Sequence, residues 1–263
     1  MIVHPNPKIN IGLFVVAERE DGFHDIETIF YPLQQPADTL EIEPVAHGID
    51  FEVTNADIGS VDNNLCVKAF RMMQAACGFV GGVRMRLTKN IPVGAGLGGG
   101  SSDAAAVLKA ANELYGQNLS DEELMELGAK IGSDVPFFIG NRPAFATGKG
   151  ELMTPVDIDL SDKRITIVMP PFTMSTAEAY RLIVSRPAPF DLRELSDVPL
   201  KEWKRVVEND FERPLYTRFP ILAAAKERLY AEGADFVLLS GSGSALYAIG
   251  DKEYGLPSDF FCC

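Results

Sequence analysis

The sequence predicts a mixed α+β protein in two domains divided near residue 150, and three observations carry that prediction. Short segments rich in β-branched and aromatic residues cluster early, at 9–16, 26–33, 39–43 and 49–53, punctuated by Gly, Pro, Asn and Asp. Helical patterns follow without alternating regularly with strands, which separates the chain from a regularly wound α/β sheet. After Gly148-Lys149-Gly150 a strand pattern starts afresh.

Taken in order, residues 64–77 place Leu65, Ala69 and Met72 on one helical face, with Asp62 and Asn63 as candidate caps and Gly78 as the stop. Residues 83–88 alternate Val, Met and Leu with Arg, the pattern of a half-buried strand. A helix is expected from Ser101, with an alanine-rich body over 103–115. A turn at Gly116 and Asn118 leads to a second helix over 120–131, opened by a capping box of Ser120 and Glu123. In the second half a strand at 165–169 stops at Pro170-Pro171, and a helix begins near Ser175. Residues 187–199 form a proline-rich connection. A helix over 221–231 ends at Gly233, and a buried strand at 236–239 runs into Ser240-Gly241-Ser242-Gly243.

The chain has 263 residues, 46% of them hydrophobic and 9% aromatic, enough to build packed cores. Its formal charge of −13 opposes broad binding to nucleic acid or an anionic membrane, so an anionic ligand must meet a local basic pocket. Cys66, Cys77, Cys262 and Cys263 form no C-x-x-C pair and suggest no disulfide framework. The first residues show no basic-then-apolar leader, and no apolar stretch approaches the ~18 residues of a membrane span. A cytoplasmic protein is expected.

The chemistry concentrates at Pro92-Val93-Gly94-Ala95-Gly96-Leu97-Gly98-Gly99-Gly100-Ser101-Ser102, with five glycines between a strand pattern and a helix pattern. Glycine tolerates positive φ and offers no Cβ, so such a loop can turn its N–H groups toward phosphate at the positive end of the next helix. The bland alternative is a flexible turn with a serine cap. A P-loop would require Gly-Lys-Ser/Thr, and Gly100 is followed by Ser101. Gly94, Gly96 and Gly99 do match G-x-G-x-x-G. However, the second strand with its acidic end is missing, since Glu113 lies inside a predicted helix and another helix follows.

Pro92, Gly96, Leu97, Gly98, Ser101, Ser102, Ala104 and Ala105 follow the loop of the GHMP kinases, with Gly99-Gly100 and Asp103 as departures. Three further stretches occur in that family's order: Pro7-Lys8-Ile9-Asn10-Ile11, Asp21-Gly22-Phe23-His24 and Gly132-Ser133-Asp134-Val135-Pro136-Phe137-Phe138. Ser175-Thr176-Ala177 and Ser240-Gly241-Ser242-Gly243-Ser244 extend the match. The chain therefore resembles the GHMP kinases over nearly its whole length. It is most similar to the branch serving the non-mevalonate isoprenoid pathway, in which the glycine departures recur. Only residues 254–263 fall short of that branch's usual closing helix and strand.

The resemblance implies a two-domain GHMP kinase fold with the active site in the cleft between an ATP-binding domain (1–150) and a C-terminal domain (151–263). It implies transfer of phosphate from ATP, with Mg²⁺ carried by the nucleotide, to the 2-hydroxyl of a small molecule bearing a cytidine diphosphate group. By the same resemblance Asp134 is the base and Lys8 its cationic partner. Residues 92–102 hold the ATP phosphates, with Asn64 and Lys89 near the nucleoside. Phe23 and Tyr180 sandwich the cytosine and His24 reads its edge. Asn10, Thr176, Gly241 and Ser242 contact the remainder of the substrate. Asp103, in the first turn of the helix, is the rival acid, and a helix-terminal role suits it better than Mg²⁺ binding. No H-x-x-x-H, C-x-x-C or clustered carboxylate motif provides a separate protein metal site. Three alternatives stay open: a GHMP kinase for homoserine or mevalonate, a silent nucleotide binder, and a dinucleotide-binding oxidoreductase.

Overall fold

The structure, a computed structural model, describes residues 1–57, 59–252, 254 and 260–262. The strands are β1 (Ile2–Val3), β2 (Lys8–Glu18), β3 (His24–Pro32), β4 (Thr39–Val45), β5 (Ile49–Thr54), β6 (Gly82–Thr88), β7 (Ala144–Thr147), β8 (Leu152–Pro155), β9 (Arg164–Met169), β10 (Phe236–Leu239), β11 (Leu246–Gly250) and β12 (Phe261–Cys262). The α-helices are α1 (Leu65–Cys77), α2 (Gly99–Leu114), α3 (Asp121–Ala129), α4 (Val135–Gly140), α5 (Thr176–Tyr180), α6 (Trp203–Val206), α7 (Glu212–Arg218) and α8 (Pro220–Ala231). By packing, Met1–Lys8, Pro32–Val93 and Gly98–Arg142 form one compact unit, and Ile9–Tyr31, Gly94–Leu97 and Pro143–Cys263 form another. These units do not follow a single cut near residue 150, because Gly148-Lys149-Gly150 lies in the turn of the β7–β8 hairpin.

In the first unit the sheet order is β1-β4-β6-β5, with β4 antiparallel and β5 parallel to β6. Period-two alternation buries Leu40, Ile42, Val83, Met85 and Leu87 and turns the charges outward. On the outer face Arg84 bridges Glu43 and Asp50 at 2.8 Å each. Helix α1 buries Cys66, Val67, Ala69, Phe70 and Met73, so its inward stripe is rotated from the expected Leu65–Ala69–Met72 face and keeps only Ala69. Its cap is Asn64, which accepts from the Cys66 N–H at 2.8 Å, while Asp62 and Asn63 belong to a short 3₁₀ turn. Gly78 closes the helix in the left-handed region at φ 69°, a conformation glycine adopts without a Cβ penalty. The capping box of α3 forms as expected.

The second unit contains two sheets, β2-β3-β7-β8 and β10-β11-β9-β12. Leu13, Val15, Phe211, Leu215, Leu222, Val237, Leu239 and Leu246 share its buried core. The residues read as a proline-rich connection contain a 3₁₀ helix at Leu192–Asp197 that buries Leu192 and Leu195. Cys263 and most of the short closing segment lie outside the described residues. No helix among the described residues is long and apolar enough to cross a membrane.

Candidate active site

The glycine loop takes its shape from three left-handed residues, Gly94, Gly96 and Gly98, at φ 68°, 78° and 73°. Ala95 and Leu97 are buried and anchor the loop, whereas Val93 is 48% exposed. A Cβ on Gly98 would lie 2.9 Å from the Phe138 ring and 3.2 Å from Cγ of Lys8, so this position admits only glycine. Helix α2 starts at Gly99, two residues before the expected Ser101, because Gly98 already supplies the carbonyl that accepts the Ser102 N–H at 2.9 Å. Gly99, Gly100 and Ser101 therefore present the N–H groups that no helical carbonyl can reach. Their positive dipole end suits an anion, and Pro92 leads the chain into this turn.

Lys8 and Asp134 come together in the same unit. Lys8 Nζ lies 3.8 Å from Oδ2 of Asp134, with side-chain exposures of 4% and 29%. Asp134 occupies the N-cap position of α4 but makes no side-chain cap hydrogen bond, so its carboxylate is kept for another partner. Burial pushes the Lys8 ammonium below the ordinary lysine range, and Asp134 opposes that shift. The pair adjoins the loop, since the Lys8 stem lies under Gly98.

Lys89 is buried rather than reaching outward. Its ammonium donates to Oδ2 of Asp103 at 2.7 Å and to Oδ2 of Asp38. Burial is the main influence on the Asp103 carboxyl, which is pushed up to about 7 beside Lys89 and Asp38. The first-turn acid thus serves the interior of the unit. Asp38 was missed in the sequence because Pro36-Ala37-Asp38 reads as an ordinary turn. Asn64 is occupied in part by capping α1, and its neighbour Leu65 lies 3.7 Å from a Cβ placed on Gly100.

In the second unit His24 meets Tyr180 at a centroid distance of 4.9 Å and 34° between planes, and Phe211 packs edge-on against Tyr180. Phe23 is 58% exposed and carries the Lys149 ammonium 4.8 Å above its ring. Asn10 is buried and donates to Thr28 Oγ1 at 2.9 Å, and its Oδ1 lies 3.3 Å from a Cβ placed on Gly241. Ser242 donates to Thr176 at 3.3 Å. Two further residues shape these loops. Asn209 donates to the carbonyls of Leu239 and Gly241 at 2.8 and 2.9 Å, and Ser240 donates to the Gly96 carbonyl at 2.9 Å. Asn209 carries no local sequence signal, and the Ser-Gly motif around Ser240 does not reveal its partner, because each acts through backbone 30 or more positions away.

Residues 64–142 match the model of the GHMP kinases N terminal domain. The chain is 40% identical to a 4-diphosphocytidyl-2-C-methyl-D-erythritol kinase of Parabacteroides distasonis, covering 99% of this chain and 97% of that one. It is 42% identical to the enzyme of the same name in Porphyromonas gingivalis, covering 95% and 92%. The chain belongs to the 4-diphosphocytidyl-2-C-methyl-D-erythritol kinase family of GHMP kinases. As a member it is a phosphotransferase. A crystal structure of a 4-(cytidine 5'-diphospho)-2C-methyl-D-erythritol kinase superposes with a TM-score of 0.79 at 37% identity, covering 95% of this kinase and 90% of that chain. A Methanococcus jannaschii mevalonate kinase superposes at 0.71 with 15% identity over 95% and 90%, a likeness of fold alone.

Proposed function

We propose that this kinase transfers the γ-phosphoryl group of ATP to the 2-hydroxyl of 4-diphosphocytidyl-2-C-methyl-D-erythritol, a step of non-mevalonate isoprenoid precursor synthesis, with Asp134 as base and Lys8 assisting. The observation that carries the reading is the Lys8–Asp134 pair lying beside Gly98. A carboxylate and an ammonium next to a phosphate cradle can align an alcohol and stabilise the charge that phosphoryl transfer develops. Asp134 takes the hydroxyl proton as the oxygen bonds to the γ-phosphorus, the bond to the β-phosphate oxygen breaks, and ADP leaves with its electron pair. Lys8, held in a poorly solvated site, stabilises the charge that gathers on the acceptor oxygen and the transferring group.

Residues 92–102 bind the phosphates through loop and helix N–H groups, with Asn64 and Lys89 serving the nucleotide from behind. Mg²⁺ carried by the nucleotide would supply neutralisation of phosphate charge. Phe23, His24 and Tyr180 receive the cytosine, since stacking contributes about 1–3 kcal/mol per base and an imidazole can read the edge. Asn10, Thr176, Gly241 and Ser242 hold the rest of the substrate. The functional division near residue 150 belongs to the same proposal: 1–150 supplies loop, base and lysine, and 151–263 supplies Thr176, Tyr180, Gly241 and Ser242.

The test is ADP release with Mg-ATP, comparing 4-diphosphocytidyl-2-C-methyl-D-erythritol with homoserine, mevalonate and galactose. Turnover of the cytidyl substrate alone is expected. Turnover of another alcohol in its place would keep the kinase and overturn the pyrimidine pocket.

A further inference from the structure

Asp38 is fully buried, 0% exposed, immediately before β4, and the active-site reading leaves it without a role. Its two oxygens accept three hydrogen bonds from the residues before the glycine loop. Oδ1 accepts the Asn90 N–H at 2.5 Å and the Ile91 N–H at 2.8 Å, while Oδ2 accepts from Lys89 Nζ. The side chain of Asn90 adds a bond to the Ala37 carbonyl at 2.8 Å. These are the residues immediately before Pro92, where the loop begins.

The far end of the loop rests on the same group. A Cβ on Gly99 would meet Ile91 Cγ2 at 2.9 Å and Lys89 Nζ at 3.3 Å, so the first turn of α2 sits directly on the two residues that Asp38 fixes. Asp103, one turn further along α2, reaches back to Lys89 at 2.7 Å and keeps its Oδ1 without a hydrogen-bond partner. One buried carboxylate therefore ties the strand before the loop to the helix after it.

We propose that Asp38 is a positioning residue for the nucleotide phosphates, acting through Lys89 and Ile91 on the first turn of α2, with Asp103 closing the linkage from the helix side. The inference rests on the reading of the glycine loop as the ATP site. Lys89 then works as an internal tie: with 5% of its side chain exposed, its charge orients the N–H cradle from beneath. The triad also sets a charge. With both carboxylates ionised it carries one net negative charge under the phosphate site, and a proton on Asp103 removes it. The Asp103 carboxyl, raised to about 7 by burial, faces Lys89, Asp38 and the Cys66 thiol, which burial holds well above its usual range and therefore neutral. ATP affinity should fall as pH rises through 7.

The experiment measures Mg-ATP binding by calorimetry between pH 6 and 8.5, with kcat and both KM values, for wild type, Asp38→Asn, Lys89→Met, their double variant and Asp103→Asn. Asp38→Asn is expected to raise the ATP Kd about tenfold, changing kcat and the cytidyl substrate KM less than about threefold, a split that a remote structural fault would not give. The double variant should bind ATP no more weakly than the worse single variant, because both act on one tie. Asp103→Asn retains the acceptor for Lys89 and should flatten the pH dependence of ATP affinity. This variant decides the question if Asp38→Asn does not fold. An unchanged pH dependence in Asp103→Asn, or equal increases in both KM values in Asp38→Asn, would overturn the proposal while leaving the ATP site intact. Failure of the wild type to bind ATP would overturn both.

Discussion

Lys8, Lys89 and Asp38, beside the glycine loop, expose 4%, 5% and 0% of their side chains, and charged partners hold all three. Phe23, by contrast, is 58% exposed in the second unit, and His24 meets Tyr180 through a tilted ring contact. On the proposed reading, the difference follows the chemistry asked of each region. Charge developing during phosphoryl transfer is stabilised best by groups already oriented in a dry site, since reorganisation would cost part of the gain. A base can be recognised by surfaces that close upon it, because stacking is tolerant of geometry. Substitution of Lys8 or Asp134 should therefore act on kcat, substitution of Asp38 or Lys89 beneath the loop on ATP affinity, and substitution in the second region on the substrate KM.

The strongest way to break this contrast is Asp134→Ala, which should lower kcat by about 10²–10⁴-fold while the ATP Kd measured by calorimetry stays within several-fold of wild type. Near-normal turnover would remove Asp134 as base. Lys8→Met should cost less, on the order of 10²-fold in kcat. Burial lowers the Lys8 pKa, so the charged form is lost, and activity with it, at a pH below that of an ordinary lysine. A kcat–pH profile of Lys8→Arg should move that alkaline fall upward. In the aromatic region His24→Ala should raise the cytidyl substrate KM about tenfold with little change in the ATP KM; equal effects on both would erase the distinction between the regions.

The smallest effect concerns stability. The folded-state pKa of Asp103, about 7, lies above its unfolded value, so its contribution is complete below that unfolded value and is lost as pH rises through 7. Wild-type Tm should therefore fall, relative to Asp103→Asn, between pH 4 and 7.5, a gap of a few degrees readable by calorimetric melts. Parallel Tm curves would show that Asp103 is not a displaced titrating group.

Several elements were legible because their signals are local. The β-branched and aromatic run at β5, the alternation at β6 and the buried run at β10 appear within a residue of their expected bounds, and the Ser120–Glu123 box forms where it was expected. Helix α4 was not legible: Val135–Gly140 is six residues long and buries five of them, leaving no periodic face to read. Helix α7 carries Pro214 in its first turn, where the residue reads as a break although the helix accepts it. The β7–β8 hairpin has four-residue strands on either side of its Gly-Lys-Gly turn, too short for a pattern. At the site, resemblance supplied Lys8 and Asp134, whereas the fate of Lys89 depended on an aspartate 51 positions earlier, a distance over which sequence alone gives no pairing rule.

The interleaving of the two packing units bears on how the protein can be handled. The chain passes from one unit to the other after residues 8, 31, 93, 97 and 142. A gene fragment ending at 150 would carry the whole glycine loop but strand β2 and β3 apart from β8 and from the core that Leu13 and Val15 share with β10 and β11. Such a fragment should be recovered as insoluble material, and the two pieces should regain kinase activity only when refolded together.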